Sequence, residues 1–426
     1  MQGLLILTEK SQTSEFIWHL LLRSRLVDLL PRHATLRPQF VFRTPGRWAR
    51  AVWLLGLKRP GSSGLIGLIV VALLTAPGGI LRADHLVLRD LNWLDNIRVT
   101  GFDEDGVRLE DGRQWTWDQI ASGGVAPDQQ AEFDAFQKRL SLPLYRLQWR
   151  LQLEDDSDLL TCTEPLLETY SDRKSLTAAM VWYGEFRGRL AQGQRAAAVQ
   201  SLLKIDSILQ SGNVNSAALA TVLSRGDQRP WLDPESGVCT QMLPVWFNAD
   251  EAKTQWEDVY NDYLAIQAPS PTATLYVAAL ATAADHAQVA TQLLQKLEQP
   301  TSGQRQWSNL IRLEVERPEA GSQERMSQLT TDIQGYSRPL QVVGYYTLGR
   351  ARLAMDQDSS IQKGQLELLR IPAVLKDVAE QVSGDAISQV AASLEANDHP
   401  REANILWNEL KTNYPLSWHA RPRTGQ

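Results

Sequence analysis

Trp182–Ala191, WYGEFRGRLA, and Tyr345–Ala354, YYTLGRARLA, place an aromatic pair ahead of R-x-R-L-A in the same register, 163 positions apart. A second match comes after each one: Ser201–Leu209, SLLKIDSIL, corresponds to Glu367–Leu375, ELLRIPAVL, at a separation of 166. Apolar residues at three- and four-residue intervals predict a helix for every one of these stretches. Two helices that recur together mark a repeated helical hairpin, which a chance likeness of single helices does not produce. The three-residue change in separation is expected in the loop between them, where insertions are tolerated.

Weaker copies occupy Ala273–Glu298 and Ala386–Ser417, the second closing on L-x-x-x-Y-P-x-S. With small Ala residues at expected helix crossings and aromatic and Leu positions at helical spacing, the pattern resembles tetratricopeptide (TPR) repeats. The Ala386–Ser417 copy is nearest that family's form; the others differ in length and lack its W-x-x-L-G opening. Across roughly half of the chain, from Ser141 to Ser417 with a gap, the resemblance implies a solenoid of α-α hairpins; a solenoid keeps one face open for an extended partner, so another protein or peptide is expected there. The layout also resembles exported bacterial proteins of the planctomycete type, a likeness that implies no activity.

Upstream of the repeats the periodicity changes from helical to alternating. Asn96–Phe102, Val107–Glu110 and Arg113–Ile120 are separated by Asp105-Gly106 and Asp111-Gly112, and Asp-Gly between alternating runs is a strong hairpin signal. A small three-stranded, SH3-like β module is expected. Gly123–Gln130 has the composition of a linker, and a helix opened by Ser141-Leu142-Pro143-Leu144 and running to about Leu153 comes next, with Asp156–Tyr170 as its antiparallel partner, interrupted by Pro165. The gap between the repeats, Ser211–Ala268, is rich in Pro, Gly and aromatics around Arg229–Gly237 and Val238–Phe247, so an ordered, non-helical insertion is predicted. After it Asn248 is placed to cap a helix, with Glu251 closing a capping box, and Ser270-Pro271 starts the next.

The N-terminal end has a different character. Pro60–Leu81 carries no charge, its apolar core Leu65–Ala76 is shorter than a membrane span, and Pro77-Gly78-Gly79 breaks the helix behind it. Residues 1–83 hold 11 basic and 3 acidic side chains, a distribution that favours export of the remainder of the chain. A signal peptide is expected, or an uncleaved anchor at 64–81, and the protein is expected to be exported, periplasmic or extracellular. Beyond Ala83 the chain's net −6 becomes −14, an acidic balance that argues against a nucleic-acid partner.

The predicted layout is therefore mainly α: leader 1–83, β module 84–122, helical hairpins 131–210, insertion and helix 211–268, and TPR-like hairpins 270–418. The motifs of common hydrolases, nucleotide-binding proteins and zinc enzymes are missing, and His85, His286, His399 and His419 are scattered, so no catalytic residue, metal site or cofactor is expected. Asp103-Glu104-Asp105-Gly106 lacks the ligand spacing of a calcium loop. Glu154, Asp155, Asp156 and Asp158 are expected on a solvated turn. Tyr183/Arg187 and Tyr346/Arg350, spaced i, i+4, are the candidate partner-binding pairs, each suited to a carboxylate or a peptide terminus. Trp231 and Trp246 support an alternative, a cell-wall or carbohydrate-binding platform. Cys162 and Cys239 are either a disulfide, which an oxidising compartment permits, or two buried thiols.

Overall fold

The computed structural model describes residues 84–215, 232–244, 247–316, 323–355 and 357–415, with a few single positions beside them. The leader lies outside the described residues. Residues from Asp84 onward form one compact unit, mainly helical with a small β module at its start.

That module has six strands where three were expected: β1 Asp84–Leu88, β2 Trp93–Ile97, β3 Val99–Asp103, β4 Gly106–Leu109, β5 Gln114–Trp115 and β6 Ile120–Gly124. The expected meander is present as the sheet β3-β4-β5, all antiparallel. A second sheet, β2-β1-β6, was missed because its strands alternate poorly. A 3-10 turn, Trp117–Gln119, precedes β6. Gly123 and Gly124 are strand residues, not linker: a Cβ on Gly123 would stand 2.7 Å from Leu86 and 2.9 Å from Phe133, so glycine permits the close approach. Trp117, Phe133, Leu86 and Ile120 are fully buried beneath the two sheets.

The helices, in chain order, are α1 Gln130–Phe136, α2 Leu142–Leu153, α3 Leu159–Tyr170, α4 Leu176–Ala191, α5 Arg195–Gln210, α6 Ala249–Ala265, α7 Pro271–Ala283, α8 Ala287–Gln295, α9 Ser302–Glu316, α10 Gln323–Asp332, α11 Arg338–Leu353, α12 Asp358–Val374, α13 Glu380–Ala396 and α14 Pro400–Asn413. The larger helix–helix contacts join each one to its next or next-but-one neighbour. Asn248 and Ser270 cap α6 and α7 as expected, with Pro271 in the first turn. Glu251 does not close a capping box. It reaches across to α5 and accepts from the backbone N–H groups of Ala196 and Ala197, at 2.8 and 3.4 Å, supplying that helix with the acceptor its own N-cap lacks.

The two recurring hairpins are α4/α5 and α11/α12. Their buried faces agree at the separations found in the sequence: Leu202, Leu203 and Ile205 are buried, as are Leu368, Leu369 and Ile371. The three extra residues are not in the loop; α12 begins at Asp358, whereas the counterpart of Arg195 is position 361, so they form an added first turn of the helix. Gly349 and Gly364 bring α11 and α12 together so closely that a Cβ on Gly364 would meet the Gly349 carbonyl at 2.8 Å.

β module and helices are joined at the Asp103–Gly106 turn. Arg173, after α3, donates to Glu104 at 2.7 Å and Asp105 at 2.8 Å, while the Tyr170 hydroxyl donates to the Glu104 carbonyl at 2.5 Å. Trp117 Nε1 donates to the Asp103 carbonyl at 2.7 Å from beneath.

Two stability measurements probe this packing. Gly364→Val should cost about 1–3 kcal/mol in denaturant unfolding by forcing α11 and α12 apart, while Gly335→Ala, where a Cβ meets nothing, should cost less than about 0.5 kcal/mol. Asp206, buried in α5, accepts from the Ser270 hydroxyl at 2.7 Å, and burial raises its carboxyl above the ordinary range while Ser270 opposes the shift. The native state keeps this proton at pH values where the unfolded chain has lost it, so Asp206 lowers stability as pH rises through that interval. Asp206→Asn retains the acceptor and should flatten the fall in melting temperature as pH rises above the ordinary carboxylate range; an unchanged slope would refute the assignment.

Candidate functional site

The two predicted pairs sit at equivalent positions on α4 and α11, and in both the tyrosine faces inward. Tyr183 is 3% exposed and Tyr346 1%. Arg187 stands 6.0 Å from the Tyr183 ring and Arg350 5.9 Å from the Tyr346 ring, so the i, i+4 stacking inferred from spacing is present. Both arginines also have acids of this chain: Arg187 pairs with Asp156 at 2.8 Å, and Arg350 with Glu314 at 3.7 Å. Asp156 belongs to the acidic turn after α2, whose Asp155 and Asp158 hold Arg150 at 2.6 and 2.8 Å. That turn receives arginines and is not merely solvated. The second arginine of each R-x-R meets a buried glutamate: Arg189 with Glu185 at 2.7 Å, and Arg352 with Glu367 at 3.1 Å.

The tyrosine hydroxyls lead to the insertion and to α13. Tyr183 exchanges hydrogen bonds with Gln241, at 2.8 Å for the amide donor, and Tyr346 bonds to Asp385 and accepts from Gln389. Burial, then the neighbouring Asp385 charge, pushes the Tyr346 phenol well above its ordinary value, so the hydroxyl stays protonated.

Segment 232–243 forms the centre of this arrangement. Leu232 and Cys239 make a single antiparallel bridge, and Ser236, Val238, Cys239 and Met242 are fully buried. Helical side chains hold its main chain. The Tyr276 hydroxyl accepts from Cys239 N–H at 2.9 Å and donates to the Met242 carbonyl at 2.6 Å; Arg195 donates to the Leu243 carbonyl at 2.9 Å. Thr272 and Thr301 donate to the carbonyls of Gly237 and Glu235 at 3.2 and 2.7 Å. Ser337, ahead of α11, donates to Asp233 at 2.8 Å, and Ser236 also bonds that carboxylate. The described part of the insertion, 232–244, is non-helical, and it is threaded between α4, α5, α7, α9 and α11.

A cavity of about 220 Å³ opens where this segment approaches α13, lined by Arg195, Thr240, Gln241, Leu243, Val378–Glu380 and Val382. Burial pushes the Arg195 guanidinium down to about 10, with Tyr276 and Glu251 opposing, so it remains cationic at neutral pH. A guanidinium in the wall of a small cavity suits a carbonyl or carboxylate oxygen. Among the described residues, no group of three or more His, Cys, Asp and Glu side chains converges as a metal site would.

Trp231 and Trp246 lie outside the described residues, and the glycan platform proposed on them has no geometry to set beside it. Cys162, half-buried on α3, and Cys239, fully buried in the insertion, are free thiols, so the disulfide alternative is not formed. Sequence reasoning missed Arg195, Gln241, Tyr276 and Asp385. The one available signal was Asp385, an acid set in the small-residue run Ser383-Gly384-Asp385-Ala386 of a predicted helix.

Comparison of the chain with protein-family models, curated proteins and solved structures gives no significant match.

Burial holds the Cys239 thiol up at about 12, where thiolate chemistry at neutral pH is suppressed. Reaction of the native protein with a thiol reagent should therefore label Cys162 alone, and denaturation without reductant should release a second thiol. Labelling of neither before reduction would restore the disulfide.

Proposed function

We propose that the protein is a non-enzymatic scaffold that holds another protein or peptide on a TPR-like solenoid outside the cytoplasm, with residues 1–83 acting as its export leader or anchor. Helical hairpins that pack in chain order are the organisation by which solenoids bury a continuous core and keep a face for an extended partner. Support for the SH3-like reading of the β module comes from β1 pairing with both β2 and β6 around the β3-β4-β5 meander, with a 3-10 turn before the last strand.

One observation carries the binding reading. Side chains from successive hairpins grip segment 232–243 largely by its carbonyl and N–H groups, which is how a rigid helical surface accepts extended chain without demanding a particular sequence. The same array offers a half-exposed guanidinium at Arg350, with the more buried Arg187 at the matching position of the other recurring hairpin.

Arg187→Ala with Arg350→Ala tests the face. A partner recovered by affinity capture on the wild-type protein should fall by about tenfold or more on the double variant, the loss expected when central arginine contacts are removed. Equal recovery on a double variant with an unchanged melting temperature removes these residues from the binding face.

A further inference from the structure

The first helical hairpin carries a surface that the scaffold does not use. On α2, Leu142, Trp149 and Leu153 are 45%, 48% and 46% exposed, and their spacing puts them on one stripe of the helix. The Tyr145 ring stacks on Trp149 at 6.4 Å. Arg89 links this stripe to the β module: its guanidinium lies 4.3 Å from the Tyr145 ring and donates to Ser141 at 2.8 Å. On the module the exposed side continues with Leu91, 81% exposed, and Trp93, 65% exposed, whose ring stacks on His85 at 6.5 Å. Large apolar side chains this exposed, gathered on adjoining elements, mark a surface that something covers.

Charge identifies what covers it. The chain beyond Ala83 is strongly acidic, yet Ala135–Leu153 contains Lys138, Arg139, Arg146 and Arg150 and no acidic residue, with Arg150 held by Asp155 and Asp158 and Arg139 3.8 Å from Glu104. A basic helix with Trp, Tyr and Leu on its open face has the composition of a segment that lies in the headgroup layer of an anionic bilayer. The position of the leader agrees. Its charge-free stretch ends at Leu81, three positions before Asp84 in the sequence. His85, with Trp93 stacked on it, begins at that point.

We propose that the outer side of β1-β2 and the exposed stripe of α2 rest on an anionic lipid surface, with Trp93 and Trp149 at headgroup depth and Lys138 and Arg146 facing lipid phosphates. The proposal rests on reading residues 1–83 as membrane-directed, but it assigns a lipid contact to the folded part of the chain.

The test uses the full chain in a Cys162→Ser background, where buried Cys239 does not compete for label. An environment-sensitive fluorophore is placed at Leu153→Cys or, in a second protein, at Trp149→Cys. A control label is placed at Ile405→Cys, an exposed position on α14. Each protein is mixed with vesicles of phosphatidylcholine containing one-quarter phosphatidylglycerol and a lipid-borne quencher. Labels at 149 and 153 should lose more than about half of their emission while the label at 405 keeps its own, and omitting phosphatidylglycerol should weaken the effect. Vesicle-bound protein with all labels equally unquenched overturns the face and leaves the leader reading intact. Failure of the protein to bind vesicles overturns both. A concentration-dependent shift of the 149 label without lipid, unaltered by vesicles, assigns the face to a second copy of the chain and overturns the lipid contact.

Discussion

The Tyr276 hydroxyl, accepting from Cys239 and donating to the Met242 carbonyl, is the bond on which the centre of the molecule turns. A stretch of non-helical backbone buried among helices leaves polar groups that no water reaches, and each unpaired one costs about 1–3 kcal/mol. Tyr276 satisfies two of them with one atom. Arg195, Thr272 and Thr301 satisfy others, so the insertion behaves as part of the core rather than as a loop laid over it. This requirement explains why polar side chains occupy otherwise apolar faces of α5 and α7, and why burial of Arg195 is tolerated.

Arginine placement obeys a related logic. The recurring R-x-R supplies one guanidinium that stacks on a tyrosine and meets an acid from a neighbouring element, and one that meets a buried glutamate. Acidic surplus in the chain makes such partners plentiful. Apart from Arg189–Glu185, which lies within α4, the pairs join different elements, as Arg187 joins α4 to the turn after α2. A pair of this kind contributes more to which helices meet than to net stability, because desolvation offsets much of its attraction.

Periodicity made the helices legible, and the paired recurrence made their arrangement legible as well: α4/α5 and α11/α12 match in burial at the separations visible in the residues. Caps written locally, Asn248 and Ser270-Pro271, were also readable. Features that depend on distance escaped. Glu251 sits at the correct spacing for a capping box but caps a different helix, and Gly123-Gly124 has the composition of a linker although close packing places it in a strand. The candidate pairs were found as pairs, while the acids that meet them, and the tyrosine contacts with Gln241 and Asp385, lie 31 to 58 residues away along the chain. No local pattern encodes such contacts.

Arg173 and Tyr170 fasten the Asp103–Gly106 turn to the end of α3, and β1 is the central strand of its sheet. Mechanical load applied at Asp84 therefore does not stretch a tether between two beads. It shears β1 against both neighbouring strands at once, and the two backbone ladders share the force.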